Sequence, residues 1–144
     1  NLSFKFILNF PPEIFGVEAL RELNLGHNNI EYIPEEIASL KNLKVSIHSL
    51  LTKETDLNDN PLQNIPIALS ECKKLCVLDL SNTYVRRLPR EMYYVKGFYE
   101  LNLDGCPLDD DLASVYAKGI VATMSYFKDL MFKAIYRVGV LVCI

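Results

Sequence analysis

The sequence predicts an α/β solenoid, with short parallel strands stacked along a concave face and a helical cap at the C-terminal end. Three observations carry this prediction. A pattern of apolar residues returns at intervals of 23, proline recurs at a fixed place within it, and the spacing turns helical after residue 108.

The pattern is plainest in Leu20-Arg-Glu-Leu23-Asn-Leu25-Gly-His-Asn28-Asn-Ile30-Glu-Tyr-Ile33-Pro34-Glu-Glu-Ile37-Ala-Ser-Leu40. It returns at Leu75-Cys-Val-Leu78-Asp-Leu80-Ser-Asn-Thr83-Tyr-Val85-Arg-Arg-Leu88-Pro89-Arg-Glu-Met92-Tyr-Tyr-Val95. A third copy begins at Phe98-Tyr-Glu-Leu101-Asn-Leu103-Asp-Gly-Cys106-Pro-Leu108. Thr83 and Cys106, 23 residues apart, take the slot of Asn28. Lys5, 23 residues before Asn28, marks residues 1–17 as the back half of an earlier, truncated repeat. In each Leu-x-Leu the two leucines face inward from a strand and the residues beside them face out. No unit buries its leucines alone, so stacking makes one continuous core. The Asn slot turns the chain after the strand. The Leu-Pro or Ile-Pro step sets the return path, where proline removes a donor that no ladder needs. Lys5 is a poor occupant of the Asn slot, and the sequence offers no reason for it.

On these residues the chain resembles the 23-residue leucine-rich repeat class of intracellular scaffolds, the Ras-suppressor and Scribble-like proteins. The resemblance covers residues 2–108. It implies about five repeats in a domain of residues 1–108, the first truncated and the third carrying an insertion, with asparagine side chains bonded to the backbone of neighbouring turns. It also implies a cytoplasmic scaffold or adaptor with a protein partner. It does not name that partner, because the fold serves many. Similar repeats precede kinase, GTPase, cyclase or deadenylase domains in some relatives, so the alternative is the recognition arm of a larger enzyme.

One repeat is broken. Asn60-Pro-Leu62-Gln-Asn-Ile65-Pro66 is an ordinary repeat middle, yet Asn60 lies 32 residues after Asn28, a surplus of nine. Deleting residues 45–53 joins Leu40-Lys-Asn-Leu43-Lys44 to Glu54-Thr-Asp-Leu57-Asn-Asp-Asn60 and restores the register. Two readings stand, a loop inserted before the strand or a translated in-frame intron. Val45 and Ile47 alternate with Ser46 and His48 as a rival strand. Only Thr55-Asp56-Leu57 precedes Asn60 and Ile65-Pro66 at the proper offsets, so 54–58 is the expected strand, with 45–53 bulging at the sheet edge.

Beyond the repeats, Asp109-Asp-Asp111 reads as a helix start, its acids suited to the positive end of the dipole. Leu112, Val115, Tyr116, Ile120, Met124, Phe127, Met131 and Ile135 follow at helical spacing on one face. Gly119 divides them into two helices. Residues 109–137 are thus the expected helical cap, and 138–144 an apolar tail, either read-through sequence or a strand lacking its neighbour.

Little in the chain suggests catalysis. Half of its 144 residues are apolar and the net charge is −3, which disfavours a nucleic-acid or anionic-membrane surface. The apolar run 138–144 is too short to span a bilayer, which takes roughly 20 residues. Cys72, Cys76, Cys106 and Cys143 form no metal knuckle and read as reduced thiols. His27 and His48 are isolated from each other in sequence and lack a paired Cys or Ser nucleophile, so His27 reads as a surface residue beside the Asn ladder. No Gly-rich phosphate loop is present, so no cofactor is expected.

The functional expectation rests on the outward strand positions, where Glu22, Asn24, Glu54, Asp56, Asp79, Glu100, Asn102 and Asp104 would form a stripe with no lysine or arginine inside it. Such a stripe steers a partner carrying a basic patch, although charge on an exposed strand is often only solvated. Arg86, Arg87 and Arg90 form a second, basic cluster on the flank of the loop, equally readable as ordinary surface charge.

Overall fold

The computed structural model describes residues 2, 4–46 and 60–142, with 44–46 and 138–142 described by their backbone alone. Four strands of three residues form one parallel sheet in sequence order: β1 (Glu22–Asn24), β2 (Lys44–Ser46), β3 (Val77–Asp79) and β4 (Glu100–Asn102). Between them the chain returns through 3₁₀ helices at Glu35–Ser39, Ile67–Glu71 and Arg90–Tyr94, and another at Pro12–Gly16 precedes β1. Pro11, Pro34, Pro66 and Pro89 each stand immediately before one of these helices. Their missing N–H costs nothing at that point. Their carbonyls are used, each accepting from the N–H three residues on, in Ile14, Ile37, Leu69 and Met92.

The inward slots are the core. Leu25, Ile30, Ile37, Leu40, Leu43, Leu62, Leu69, Leu75, Leu78 and Leu80 are fully buried and form a single cluster with Val85, Met92 and Val95. Asn28 and Asn60 stand on successive turns of the ladder. The amide oxygen of Asn60 accepts from the Ile30 N–H at 3.0 Å, and its Nδ2 donates to the Leu25 carbonyl at 2.9 Å. Thr83 and Cys106 continue it more weakly, the hydroxyl donating to the Leu80 carbonyl at 2.8 Å and the thiol to the same carbonyl at 3.0 Å. Lys5 is no longer puzzling. Its slot is tied to the ladder by its backbone N–H, which donates to Asn28 Oδ1 at 3.0 Å, so its side chain needs no special chemistry.

Among the described residues, those that precede a ladder position share a feature invisible in the apolar pattern. Phe4, His27, Asn82 and Gly105 all have positive φ, between 55° and 75°. Among the described residues glycine occupies this left-handed position only at Gly105, where a Cβ would meet Asn82 Oδ1 and that side chain would have to turn away. At the other end of the stack Phe4 and His27 use the same geometry to stack their rings at 3.9 Å.

The broken repeat departs from the expected strand. Lys44–Ser46 pairs with β1 and β3 at once, Leu23 opposite Val45 and Val45 opposite Leu78, so residues 54–58 do not supply the strand between them. Chain connectivity explains this. Leu43 is locked into the core, its N–H donating to the Leu40 carbonyl at 3.2 Å, and Lys-Val-Ser can pair without further delay. Using 54–58 would put a threonine, with its hydroxyl, at the register position between Leu23 and Leu78 that a valine takes in Lys44–Ser46. The extra residues therefore follow the strand. Thirteen, 47–59, separate Ser46 from Asn60, where three separate Asn24 from Asn28, and the strand itself comes one residue early. Residues 47–59 lie outside the described part of the chain.

After β4 come two helices, α1 (Asp110–Tyr116) and α2 (Ile120–Val142), broken at Gly119 with φ +94°. Helix α2 packs beside the 3₁₀ helix Arg90–Tyr94, burying Thr123 and Phe127. Two expectations fail here. The backbone of 138–142 continues α2 and is neither a tail nor a strand, and Ile135 is 57 % exposed. Past Phe127 the apolar series steps through Met131 to Ile135, whereas the helix turns Leu130 and Ala134 inward. Its inner line is Ile120, Thr123, Phe127, Leu130 and Ala134, with the Thr123 hydroxyl bonded to the Gly119 carbonyl.

Helix α1 terminates the sheet through one side chain. Within the stack the Leu80 N–H donates to the Asn102 carbonyl of the next strand, at 2.9 Å. Leu103, 23 residues on, has no next strand, and its N–H donates to the Tyr116 hydroxyl at 3.0 Å. That hydroxyl donates onward to Asp104 Oδ1 at 2.9 Å. Tyr116→Phe is expected to lower stability by about 1 kcal/mol, one net hydrogen bond, with faster amide exchange at Leu103 as its local signature. Unchanged exchange at Leu103 would show that the edge does not depend on this hydroxyl.

Candidate functional site: the outward face of the sheet

Register decides which outward residues are neighbours. Asn24, Ser46, Asp79 and Asn102 form one continuous row across all four strands. Glu22 stands opposite Lys44, and Val77 opposite Glu100. Lys44 takes the register position opposite Glu22 because β2 is formed by 44–46, and Glu54 and Asp56 lie outside the described residues. The acidic character shifts toward β3 and β4, where Asp79 and Glu100 are close in the register and Asp104 follows two residues after Asn102; Tyr99, 61 % exposed, adjoins Glu100 in the chain.

Three of the residues expected to bind a partner also have a local duty. Asn24 Oδ1 accepts from the Gly26 N–H at 3.0 Å, Asp79 Oδ1 from the Ser81 N–H at 2.9 Å, and Asn102 Oδ1 from the Asp104 N–H at 3.1 Å. These are Asx turns that end each strand in the same way. Asp79 Oδ1 also accepts from the Ser81 hydroxyl at 2.7 Å. Asp104 receives the Tyr116 hydroxyl, leaving Glu22 and Glu100 as the exposed carboxylates free of such turns. Only sequence spacing at i, i+2 with Asn or Asp at the strand end would have signalled this double use.

The other candidate groups are placed as follows. Arg86 Nε contacts Asp109 Oδ1 at 3.1 Å, and Arg87 Nε contacts Asp109 Oδ2, so both guanidiniums share one carboxylate. They hold the Asp109 carboxyl below its ordinary range, Arg87 first and then Arg86. Asp109 stands at the N-cap position of α1 yet makes no side-chain capping bond, because the charge-assisted contacts take both of its oxygens. Asp110 and Asp111 occupy the first turn, where the dipole favours them. Arg90 pairs with Glu91 at 3.2 Å. Cys72 is buried against the Ile37 carbonyl, and burial pushes its thiol up to about 11, away from reactivity at neutral pH. Burial likewise raises the Cys106 thiol. His48 and Cys143 lie outside the described residues. Among the described residues no group of His, Cys, Asp or Glu is arranged to hold a metal ion, and no helix is long and apolar enough to cross a membrane.

Comparison with known proteins agrees with this geometry. The Leucine Rich Repeat family profile matches residues 19–40. A probable serine/threonine-protein kinase of Dictyostelium discoideum, pats1, is 31 % identical over 105 residues, 72 % of this chain and 3 % of that protein. The volume-regulated anion channel subunit LRRC8E of Xenopus tropicalis is 34 % identical over 87 residues, 59 % of this chain and 10 % of that protein. A solved leucine-rich repeat protein of Leptospira interrogans superposes with TM-score 0.66 at 31 % identity, covering 78 % of this chain and 26 % of that one. An internalin of Listeria monocytogenes shares the fold, with TM-score 0.52 at 21 % identity over 67 % of this chain and 25 % of that one. The chain thus spans only a small part of the length of the relatives it matches. By repeat sequence, ladder and fold together, it is a leucine-rich repeat protein.

Proposed function

We propose that the chain is a protein-interaction module, a scaffold or adaptor that holds a basic segment of a partner on the outward, concave face of its sheet. The observation that carries this reading is the register of β3 and β4, which gathers Asp79, Glu100 and Asp104, with exposed Tyr99 adjoining Glu100 in the chain. Carboxylates so placed attract a basic segment, and an aromatic ring offers contact area and a face for its cations. Asn102 lies within this patch, while Glu22 and Asn24 form its margin. Helices α1 and α2 cap the solenoid beyond β4, and Tyr116 links that cap to the patch through Asp104.

Glu100→Lys is the clean probe, since Glu100 is exposed and makes no turn, whereas replacing Asp79 would also break its bonds to Ser81. A fluorescein-labelled lysine- and arginine-rich peptide is expected to bind the unmodified chain and to bind Glu100→Lys roughly tenfold more weakly. Lys133→Glu, away from the sheet, should leave that affinity unchanged. Equal affinity for the unmodified chain and Glu100→Lys would remove the patch from consideration.

A second reading is favoured by one observation: 72 % of this chain matches only 3 % of a probable kinase. On that reading the repeats are the recognition arm of a larger enzyme, and the same face selects its substrate or regulator. Sequencing the complete transcript distinguishes the two, a catalytic domain in the same open reading frame deciding for the arm.

A further inference from the structure

Helix α2 leaves an open groove beside the 3₁₀ helix Arg90–Tyr94, reaching the loop that leads into Ile67–Glu71. The floor is apolar, made by Ile65, Leu88, Leu130 and Ala134, and Ile67 stands at its mouth, 56 % exposed. Around it are four cations, Arg87, Arg90, Lys133 and Arg137, against the single carboxylate of Glu91. The cations come from two segments more than forty residues apart and meet only because α2 folds back beside the repeats. Arg87 is engaged with Asp109 and Arg90 with Glu91. Lys133 and Arg137, four residues apart on one face of α2, are exposed and pair with no carboxylate among the described residues.

We propose that this groove docks a carboxylate-rich amphipathic segment of a partner protein. Apolar side chains of that segment lie on Ile65, Ile67 and Leu130, and its carboxylates meet Lys133, Arg137 and Arg90. The combination of floor and rim selects the class. A phosphodiester chain has no apolar side chains for the floor, and Glu91 repels a continuous line of phosphates. An acidic helix or extended peptide, with aliphatic residues on one side, matches both features. None of the groove's residues lies on a strand, so this surface is separate from the sheet face and has the opposite charge preference.

The test is fluorescence anisotropy on the whole chain, with a labelled peptide of glutamates carrying a leucine at every third or fourth position. The expected result is saturable, salt-weakened binding that falls about tenfold or more in the double variant Lys133→Glu with Arg137→Glu. Ile67→Asp should weaken it comparably, and Glu100→Lys on the sheet face should not. All of these side chains are exposed, and unchanged thermal melting by circular dichroism verifies that the variants fold. No saturable binding by the unmodified chain overturns the proposal, as does equal binding by the double variant. Equal affinity for an all-glutamate peptide would reduce the groove to a diffuse basic surface and also overturn it. Equally tight binding of a labelled single-stranded oligonucleotide would assign the surface to another class of partner.

Discussion

Asn28→Ala is expected to lower stability by about 3–5 kcal/mol, loosening the N-terminal turns before the rest of the stack. The side chain is 2 % exposed. Its oxygen accepts from the N–H groups of Lys5 and Ile7, both at 3.0 Å. Its nitrogen donates to the carbonyls of Leu2, Leu25 and Gly26, at 2.8, 2.9 and 3.3 Å. Alanine would leave these backbone groups without that partner, and a buried group so stranded costs about 1–3 kcal/mol. Water reaches the exposed Lys5 end, so the sum stays below the simple total. Asn28→Asp keeps the acceptor but sets a buried carboxylate oxygen against the Leu2, Leu25 and Gly26 carbonyls, and should be at least as damaging at neutral pH. Denaturant melts followed by circular dichroism give the magnitude, and amide exchange at Lys5 and Ile7 locates it. A loss under about 0.5 kcal/mol, the level of an ordinary surface change, would show that the ladder is ornamental in this chain.

Leu80→Ala is expected to cost about 2–5 kcal/mol through lost burial and the cavity left behind. Leu80 is fully buried at the junction of β3 and β4, with its N–H held by Asn102 and its carbonyl by Thr83 and Cys106. Those backbone bonds anchor the turn, so the walls around the missing side chain cannot easily collapse, which points to the upper part of the range. The control is Ile67→Ala, an apolar truncation at a residue 56 % exposed, where almost no change is expected. A Leu80→Ala shift of only a few tenths of a kcal/mol would mean that the inward register is wrong.

The repeats were legible because each turn imposes the same local demands. A leucine at every inward slot, asparagine at the turn and proline before the 3₁₀ helix are requirements felt within some twenty residues, and they are written at that spacing. Gly119 as the break between helices was legible for the same reason, since a left-handed φ is a local property. The left-handed position before the ladder was not, because Phe4 and His27 occupy it as well as Asn82 and Gly105, and no residue type marks it.

The candidate sites were legible only in part. Outward strand positions follow from alternation, so Glu22, Asn24, Asp79, Glu100, Asn102 and Asp104 are identified by parity alone. Parity does not reveal that Asn24, Asp79 and Asn102 also close turns, or that Asp104 is bonded to a tyrosine twelve residues later. The groove was less visible still. Arg87 and Arg90 could be read as a basic flank, but Lys133 and Arg137 joined them only once the path of α2 was known.

The sequence by itself determined the solenoid, its inward leucines, its ladder and the composition of its outward face, because a 23-residue repeat makes each of these a nearest-neighbour property. The tertiary structure alone decided which segment enters the sheet at the broken repeat and which charges share a surface. Those outcomes depend on competition between distant segments for one slot. Leu43 was already packed, so Lys44–Ser46 filled the sheet ahead of a segment matching the repeat better, and Lys44 came to stand opposite Glu22.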